Sequence, residues 1–333
     1  MGHRKQKLIL IFLSAALILT VVLSALWGRY PIGLKELFGI LASKFVPIEP
    51  FWSSTQASLL LNHRIPRILL ACLVGCSLSG AGAAYQGVFQ NPMAAPDLLG
   101  ASSGAAFGAA LAILLDLSGS LVVLCAFFCS ILTVTAVLYL GNRSGTARSL
   151  GLILAGILLG SLVSSGTSFI KLIADPEDQL PAITYWLMGS LNGTEPNTVW
   201  FALIPMALGL VPLHLLRWRI NVLTLGDDEA QTIGVNVKSL RVAVILCATL
   251  ITAASVAVSG VIGWIGLVVP HMARKFVGND YRTLMPVSML LGALLLLVVD
   301  DFSRTLFATE IPLGILTSLL GIPFFIMLAK EAR

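Results

Sequence analysis

The chain has 333 residues, of which 57% are hydrophobic and only 11% are charged, and its formal net charge is +5. A soluble domain carries roughly 25% charged residues, so this composition excludes an ordinary soluble protein. The Lys and Arg residues are scattered through short loops rather than gathered in one patch, which argues against a nucleic-acid partner. The composition predicts one all-α domain, residues 1–333, that crosses a lipid bilayer many times.

Membrane helices can be predicted along the whole chain. A basic N-terminus precedes the first apolar run, which is expected to be retained as a helix rather than removed as a signal peptide. The second run ends at Asn91-Pro92, since proline stops a helix and disfavours helical geometry in the residue before it. The ten predicted segments are residues 8–28, 62–90, 93–112, 118–140, 147–172, 196–216, 239–260, 264–276, 283–300 and 311–329.

The positive residues predict how these helices are oriented. With ten crossings and the N-terminus inside, both termini are cytoplasmic, and fourteen Lys and Arg residues fall inside against seven outside. This excess obeys the positive-inside rule. The topology places the loop after Asn91 and Pro92 inside, where its short, rigid, nearly uncharged sequence favours docking over catalysis. It places residues 175–195, which include Tyr185 and Trp186, at the outer interface, where such aromatic side chains are favoured.

Small residues recur at every fourth position in several predicted helices, which lets helix backbones approach closely in lipid. Three stripes stand out, namely Gly75–Ser79–Ala83–Gly87, Gly100–Gly104–Gly108 and Gly156–Gly160–Ser164–Ser168. Close packing within the chain explains each stripe. The third is also a candidate wall of a translocation path, formed by Gly160, Ser164, Ser165, Thr167 and Ser168.

The segment of about residues 222–237 is acidic and predicted to lie on the cytoplasmic side. Asp227 or Asp228 can cap a short helix, Glu229 suits its first turn, and Gly234 can end it. Two interpretations remain open. The segment is either a surface turn between two membrane helices or a helix that inserts into a groove of a partner protein.

Arg64, Arg67 and Arg304 are predicted on the outside, where positive residues are scarce. We expect them to be unpaired cations. They either anchor the protein to lipid headgroups or dock an acidic partner, because arginine forms bidentate pairs with carboxylates.

Several absences limit the chemistry of the chain. It contains no phosphate-binding Gly-x-x-x-x-Gly-Lys-Ser/Thr loop and no common hydrolase motif, so we predict neither an ATP site nor an enzyme. Most ionisable residues fall in loops or at helix ends, whereas ion-coupled carriers keep them near mid-membrane. Asp300 and Asp301 come closest to such a site. An ion-coupled secondary transporter of a small molecule is therefore the alternative function.

Six motifs in order resemble one family. They are Arg64-Ile65-Pro66-Arg67, Gln90–Gly100, Tyr185–Leu191, Leu225–Ala230, Gly266–Arg274 and Ile311–Thr317. Together they resemble the FecCD-type permeases of binding-protein-dependent ABC importers, which carry ferric siderophores, haem or vitamin B12. The resemblance covers nearly the whole chain, although Met93 stands where the family usually has leucine.

The resemblance implies a vitamin B12-importer-like permease fold in a bacterial or archaeal cytoplasmic (inner) membrane. Its partners would be a second permease subunit, two cytoplasmic ATPases that hold ATP and Mg, and an extracytoplasmic binding protein, with no cofactor in this chain. A ferric siderophore is the expected cargo. The implied sites are ATPase coupling by Gly226, Asp227, Asp228, Glu229, Ala230, Gly234, Asn91 and Pro92, binding-protein docking by Arg64, Arg67 and Arg304, and a path along the fifth and tenth membrane helices.

Overall fold

The computed structural model describes residues 3–28, 30–141, 143 and 148–331, and every regular element in these ranges is helical. A π-helical turn (Leu59–Arg64) joins α3 to α4, and a 3₁₀ turn (Pro96–Leu99) precedes α5. The α-helices are α1 (His3–Leu26), α2 (Leu34–Ala42), α3 (Ser54–Ser58), α4 (Ile65–Val88), α5 (Ala101–Leu114), α6 (Gly119–Gly141), α7 (Arg148–Ile173), α8 (Gln179–Leu187), α9 (Pro196–Leu223), α10 (Asp227–Thr232), α11 (Val237–Ser259), α12 (Ile265–Val277), α13 (Tyr281–Thr305) and α14 (Leu313–Glu331).

Each of the ten predicted membrane segments coincides with one of these helices, which confirms the all-α membrane fold. Within the described ranges, seven helical spans are long and apolar enough to cross a bilayer. The longest, Ser54–Val88, runs continuously through α3, the π turn and α4. The other three predicted segments coincide with shorter helices. Helices α5 and α14 are short and apolar, and α12 has 13 residues.

The boundaries differ most where proline intervenes. The third predicted segment begins at residue 93, but α5 begins only at Ala101. Pro92 and Pro96 hold the chain in turns until Gly100, whose φ of +74° turns it into the helix. Both predicted cytoplasmic termini include residues outside the described ranges, namely 1–2 and 332–333.

Helix α4 lies at the centre of the bundle, and its glycines bring neighbouring backbones into contact. A Cβ atom added at Gly75 would lie 2.2 Å from the Gly292 carbonyl oxygen of α13. One added at Gly82 would lie 1.7 Å from the Gly266 carbonyl oxygen of α12. Any larger residue at these positions would push α13 or α12 away. The predicted close packing of the first stripe is confirmed at Gly75, whereas Gly82, outside that stripe, makes the α12 contact.

The other two stripes also pack closely. Gly104 and Gly108 of α5 face α6, and Cβ atoms there would lie 2.8 and 2.3 Å from the carbonyl oxygens of Cys129 and Cys125. Gly156 of α7 faces the 3₁₀ turn. A Cβ atom added there would lie 2.2 Å from the Leu98 carbonyl oxygen. Close packing is therefore confirmed for the second stripe, but in the third it is confirmed only at Gly156, because Ser164 and Ser168 are exposed.

The bundle has two ends, which α4 connects. We name them the Arg64 end and the α10 end. At the Arg64 end, the start of α4 meets the ends of α1 and α13. At the α10 end, Gln90 donates a hydrogen bond to the carbonyl oxygen of Leu223, the last residue of α9 before α10. Asn192, from the predicted outer segment 175–195, lies beside Arg64, so that segment and the arginines share one end, as the predicted topology requires.

Candidate functional site

Arg64 occupies the last position of the π turn and is buried against the end of α1. Its guanidinium donates to the carbonyl oxygens of Ala25 (2.8 Å), Leu26 (3.3 Å) and Tyr30. A cation is stabilised at a helix C-terminus, where carbonyl oxygens point outward unsatisfied. Within the described residues no carboxylate forms an ion pair with Arg64. Among the described residues, its hydrogen-bond partners are these carbonyl oxygens.

Arg67, one turn further along, has two carboxylate partners. Its Nη2 and Nε atoms donate to Asp300 at 2.8–3.1 Å, and its Nη1 atom donates to both oxygens of Glu310 at 3.0 Å. Asp300 is fully buried within α13, and Glu310 lies in the loop before α14. Arg67 therefore ties the start of α4 to α13 and to the loop that follows it.

Arg304 is paired as well. Its guanidinium donates to Asp301 and, at 3.0 Å, to the carbonyl oxygen of Ser24. The Ser24 hydroxyl in turn donates to Asp301 at 2.6 Å. Asp300 and Asp301, which come closest to an ion-coupling site, are thus each held by an arginine.

These three arginines line one pocket at the Arg64 end, together with His63, Asn192 and Glu310. The structure therefore brings the predicted docking residues together. The expectation that all three are unpaired is wrong for Arg67 and Arg304. The partners of Arg67 lie far along the chain, whereas Asp301 is only three residues from Arg304 on the same helix and was overlooked. Their docking role stays a prediction.

The acidic segment at the other end folds as predicted into a short helix, α10. Gly226 precedes it with φ +126°, a conformation that only glycine adopts without strain. Ala230 is buried on the side of α10 that faces the bundle, whereas Asp228 and Glu229 are exposed. Asp227 instead pairs with the buried Arg241 of α11, at 2.8 Å. This pair fixes α10 on the bundle and leaves the other two carboxylates free to meet a partner.

Apolar side chains flank these carboxylates. Leu225, just before α10, and Ile233, just after it, are both exposed, and Gly234 ends the segment with φ +87°. A short helix with acidic and apolar groups turned to solvent suits insertion into a partner's groove better than a solvated turn.

The loop of Asn91 and Pro92 lies at the same end. The Gln90 side chain donates to the Leu223 carbonyl oxygen at 2.7 Å, and the Asn91 side chain accepts from the Met93 amide at 2.9 Å. Asn91, Pro92 and Met93 are exposed. The loop is thus attached to the end of α9, next to the segment that carries α10, and the two predicted coupling elements share one surface.

Arg274 forms a third cluster of contacts at the α10 end. It was not predicted as a site, although it lies in the Gly266–Arg274 motif. Arg274, in the last turn of α12, donates to the side-chain oxygen of Gln86 and to the Tyr281 hydroxyl. Gln86 donates back to the Leu267 carbonyl oxygen of α12 at 3.3 Å, and the Tyr281 amide donates to Asn221 of α9 at 3.0 Å. The Arg274 guanidinium therefore joins three helices, α4, α12 and α13, and the Tyr281 amide extends this network to α9. The signal in the sequence was a glutamine within an otherwise small and apolar helix.

The candidate path residues lie on α7 but not on one face. Ser164, Ser165 and Ser168 are exposed, as is Ser161, so hydroxyl groups follow one side of the helix. Thr167 is buried and donates to the Val163 carbonyl oxygen. Gly160 faces the backbone of Gly100 at the start of α5. Thr167 is therefore wrongly grouped with the exposed hydroxyls, because it lies on the packed side of the helix.

Large apolar side chains cover the rest of that exposed face of α7, and α14 presents a similar surface. The exposed residues are Leu158, Leu162, Phe169 and Leu172 on α7 and Ile315, Leu319, Leu320 and Ile326 on α14. These faces meet either lipid or another protein chain.

Comparisons with known proteins agree with this architecture. Residues 16–331 match the model of the FecCD transport family. A Helicobacter pylori protein named "Probable iron chelatin transport system permease protein" is 42% identical over 84% of this chain and 85% of its own. The molybdate import system permease protein MolB of Haemophilus influenzae is 37% identical over 98% and 96%.

A solved structure shares the fold over nearly its full length. It is described as a metal-chelate type ABC transporter in an inward-facing conformation. It is 36% identical, covers 97% of this chain and 99% of that one, and superposes with a TM-score of 0.87. The fold and these matches define a multi-pass membrane permease. The chain belongs to the FecCD transport family, whose members are permease components of ABC transporters rather than their ATPases.

Proposed function

We propose that this chain is the permease subunit of an ATP-driven importer that moves a bulky metal chelate into the cytoplasm by alternating access. The observation that carries the proposal is the surface at the α10 end, where α10 and the Asn91 loop are both attached to the end of α9. A groove in a separate ATPase could grip such a surface. We therefore propose two ATPase subunits as partners, with ATP and Mg bound there and not in this chain.

Coupling is assigned to Gly226, Asp227, Asp228, Glu229, Ala230 and Gly234, with Asn91 and Pro92 as a secondary contact. Asp227 and Ala230 hold α10 in place, whereas Asp228 and Glu229 offer exposed charge. ATP-driven closure of the ATPases would move α10. The Arg274 contacts among α4, α12, α13 and α9 offer a route for that motion into the bundle.

Docking of an extracytoplasmic binding protein is assigned to the pocket at the Arg64 end. Arg64 and Arg304 line it with guanidinium groups that match carboxylates in shape and charge. Arg67 is engaged by Asp300 and Glu310, so its part in docking would be to position the pocket, or to exchange Glu310 for a partner carboxylate. Both termini and α10 would then be cytoplasmic, in a bacterial or archaeal inner membrane.

The path is assigned to the exposed side of α7, which carries Ser164, Ser165 and Ser168, with Gly160 and Thr167 supporting it from the packed side. A second permease subunit, in a homodimer, would place two such faces opposite one another with α14 beside them. A path of small hydroxyl and apolar groups binds a cargo weakly and allows its release.

A ferric siderophore is the proposed cargo, with haem or cobalamin as alternatives of the same bulky class. The iron chelatin relative supports this class, whereas the molybdate relative shows that the family extends to a small oxyanion. Cargo identity is therefore best measured on the binding protein.

The test is uptake into proteoliposomes that hold the permease, its ATPase and its binding protein. We expect uptake of a ferric siderophore that requires ATP inside the vesicles and persists after ion gradients are collapsed. Uptake driven by an ion gradient without ATP would favour the alternative, an ion-coupled secondary transporter. The ion pairs of Asp300 and Asp301 with arginines argue against that alternative.

A further inference from the structure

A stripe of exposed apolar side chains follows one side of α2 and the turn after it. Leu34, Phe38, Leu41 and Phe45 are spaced so that they share one helical face. Leu34 is 53%, Phe38 56% and Phe45 90% exposed. No membrane segment is predicted between residues 28 and 62, so this surface has no assigned partner.

The opposite side of α2 is fixed to the protein. Leu37 and Ile40 are buried in the core at the Arg64 end. At Gly39, a Cβ atom would lie 2.5 Å from the Phe51 ring and 2.7 Å from the Trp52 ring, so these rings pack directly on the helix backbone. Helix α2 therefore cannot rotate to bury Phe38 and Phe45.

Charged and aromatic neighbours indicate what covers the stripe. Lys35 and Lys44, both exposed, lie on either side of it. Trp27 and Tyr30, also exposed, lie between α1 and α2, and α1 is itself a membrane span with few buried residues. Lysines that flank an apolar face, with Trp and Tyr at the same level, are typical of a helix in the plane of a membrane interface.

We propose that α2 lies in the membrane–water interface at the Arg64 end, with Leu34, Phe38, Leu41 and Phe45 among the acyl chains and Lys35 and Lys44 at the phosphates of anionic lipids. The partner is the lipid surface, not another protein. This inference needs only the membrane-spanning class of the chain and not its proposed transport function.

The anchored helix has a consequence for the arginine pocket. The linker between α1 and α2 carries Tyr30, whose carbonyl oxygen accepts a hydrogen bond from Arg64. Helix α1 in the membrane holds one end of this linker, and α2 at the interface holds the other. The carbonyl groups around Arg64 are thereby kept at a fixed level relative to the bilayer.

The test places the photoreactive residue p-benzoylphenylalanine at Phe38 in the full-length protein, in nanodiscs of phosphatidylglycerol and phosphatidylcholine. The probe differs from phenylalanine only at the exposed end of the ring, so folding is preserved. Leu19 on α1 is the lipid-facing control, and Glu177, exposed in the polar loop before α8, is the solvent-facing control. We expect lipid adducts at Phe38 and Leu19 and none at Glu177, read by intact-protein mass spectrometry.

Lipid adducts at Leu19 without any at Phe38 would overturn the proposal, as would cross-links from Phe38 to a second copy of the chain. A second measurement tests the lysines. In the Lys35→Gln/Lys44→Gln variant we expect the ratio of phosphatidylglycerol to phosphatidylcholine adducts at Phe38 to fall at least about twofold. An unchanged ratio would exclude recognition of anionic headgroups.

Discussion

Arg67 and Asp300 form a bidentate ion pair that closes the Arg64 end of the bundle. The Nη2–Oδ1 distance is 2.8 Å and the Nε–Oδ2 distance is 3.0 Å. The pair joins the first turn of α4 to α13, whose backbones also touch at Gly75 and Gly292. Because Asp300 is fully buried, Arg67 supplies most of the positive charge that compensates its carboxylate.

Removing Arg67 should therefore destabilise the protein strongly. Arg67→Met leaves the buried carboxylate of Asp300 with only a long contact of 3.9 Å to Arg304, and breaking a buried pair costs about 3–5 kcal/mol. We expect a clear fall in the thermal unfolding temperature of the purified protein in detergent. Glu310→Gln is the matched control, since Glu310 is partly exposed, and it should cost about 1 kcal/mol or less.

The double variant Arg67→Met/Asp300→Leu shows whether the loss in Arg67→Met comes from the unpaired Asp300 carboxylate or from the lost attraction between the two residues. Because it removes both buried charges, it should recover much of the stability that Arg67→Met loses. A double variant with the summed loss of both single variants would contradict the view that Asp300 becomes an uncompensated charge.

Arg64 is the arginine best suited to test docking, because no described carboxylate pairs with it. Arg64→Gln keeps a side-chain donor for the nearby carbonyl groups but removes the charge. Since a charge-assisted hydrogen bond contributes about 1.5–3 kcal/mol, affinity for the binding protein should fall roughly 10- to 100-fold. Surface plasmon resonance on nanodisc-embedded permease measures it.

Lys171→Gln is the control for net charge, since Lys171 lies in the last turn of α7, away from the arginine pocket. Equal losses for both variants would show that net charge, and not the pocket, attracts the binding protein. Unchanged affinity for Arg64→Gln would exclude Arg64 from docking. Reversal of Arg67 is a poorer test, because it also breaks the pair with Asp300.

The exposed carboxylates of α10 should bind the ATPase without stabilising the permease. We expect Asp228→Lys/Glu229→Lys to reduce ATPase co-purification at least about tenfold, since reversed charges repel at an interface, with the unfolding temperature unchanged. Asp227→Asn should behave differently, because it weakens the contact with Arg241 that holds α10. Its unfolding temperature should fall. Full co-purification with the double reversal would rule out α10 as the main coupling contact.

Arg274 is expected to act as a positioning residue between the ATPase surface and the bundle. Arg274→Gln breaks the contacts with Gln86 and Tyr281, so α4, α12 and α13 should no longer move together. We expect ATPase co-purification and basal ATP hydrolysis to persist while stimulation by the loaded binding protein falls at least about fivefold, on the order of 1 kcal/mol of coupling.

Two further variants separate coupling from simple stability. Tyr281→Phe removes only the hydroxyl contact and should give a smaller loss of stimulation, whereas Arg274→Lys keeps the charge and should restore part of it. Equal falls in basal and stimulated hydrolysis would indicate a merely structural role for Arg274.

The order of the membrane helices could be predicted from the sequence because long apolar runs and proline breaks are local signals. The folding of α10 was equally local, since Gly226, the acidic first turn and Gly234 all lie within nine residues. The pairing of Arg304 with Asp301, three residues earlier on the same helix, is also a local signal and was overlooked, whereas the partners of Arg67 could not be predicted. Asp300 is 233 residues from Arg67, and charge pairing at that distance follows only from the packing of α4 on α13. Helix α2 was missed because it is too short for a membrane segment.

The same limit explains Thr167. Its place in a run of small and hydroxyl residues predicted a path-lining position, but helical periodicity turns it toward the packed side, while Ser165 faces outward.

A bulky substitution should tell the two positions apart. Ser165→Trp should reduce siderophore uptake at least about tenfold by narrowing the path, with ATP hydrolysis by the assembled transporter retained. Thr167→Val, which keeps the shape of the side chain, should transport normally and lose only its hydrogen bond, about 1 kcal/mol. Uptake in proteoliposomes and thermal unfolding measure both effects. Normal uptake with Ser165→Trp would place the path on a different face of the bundle.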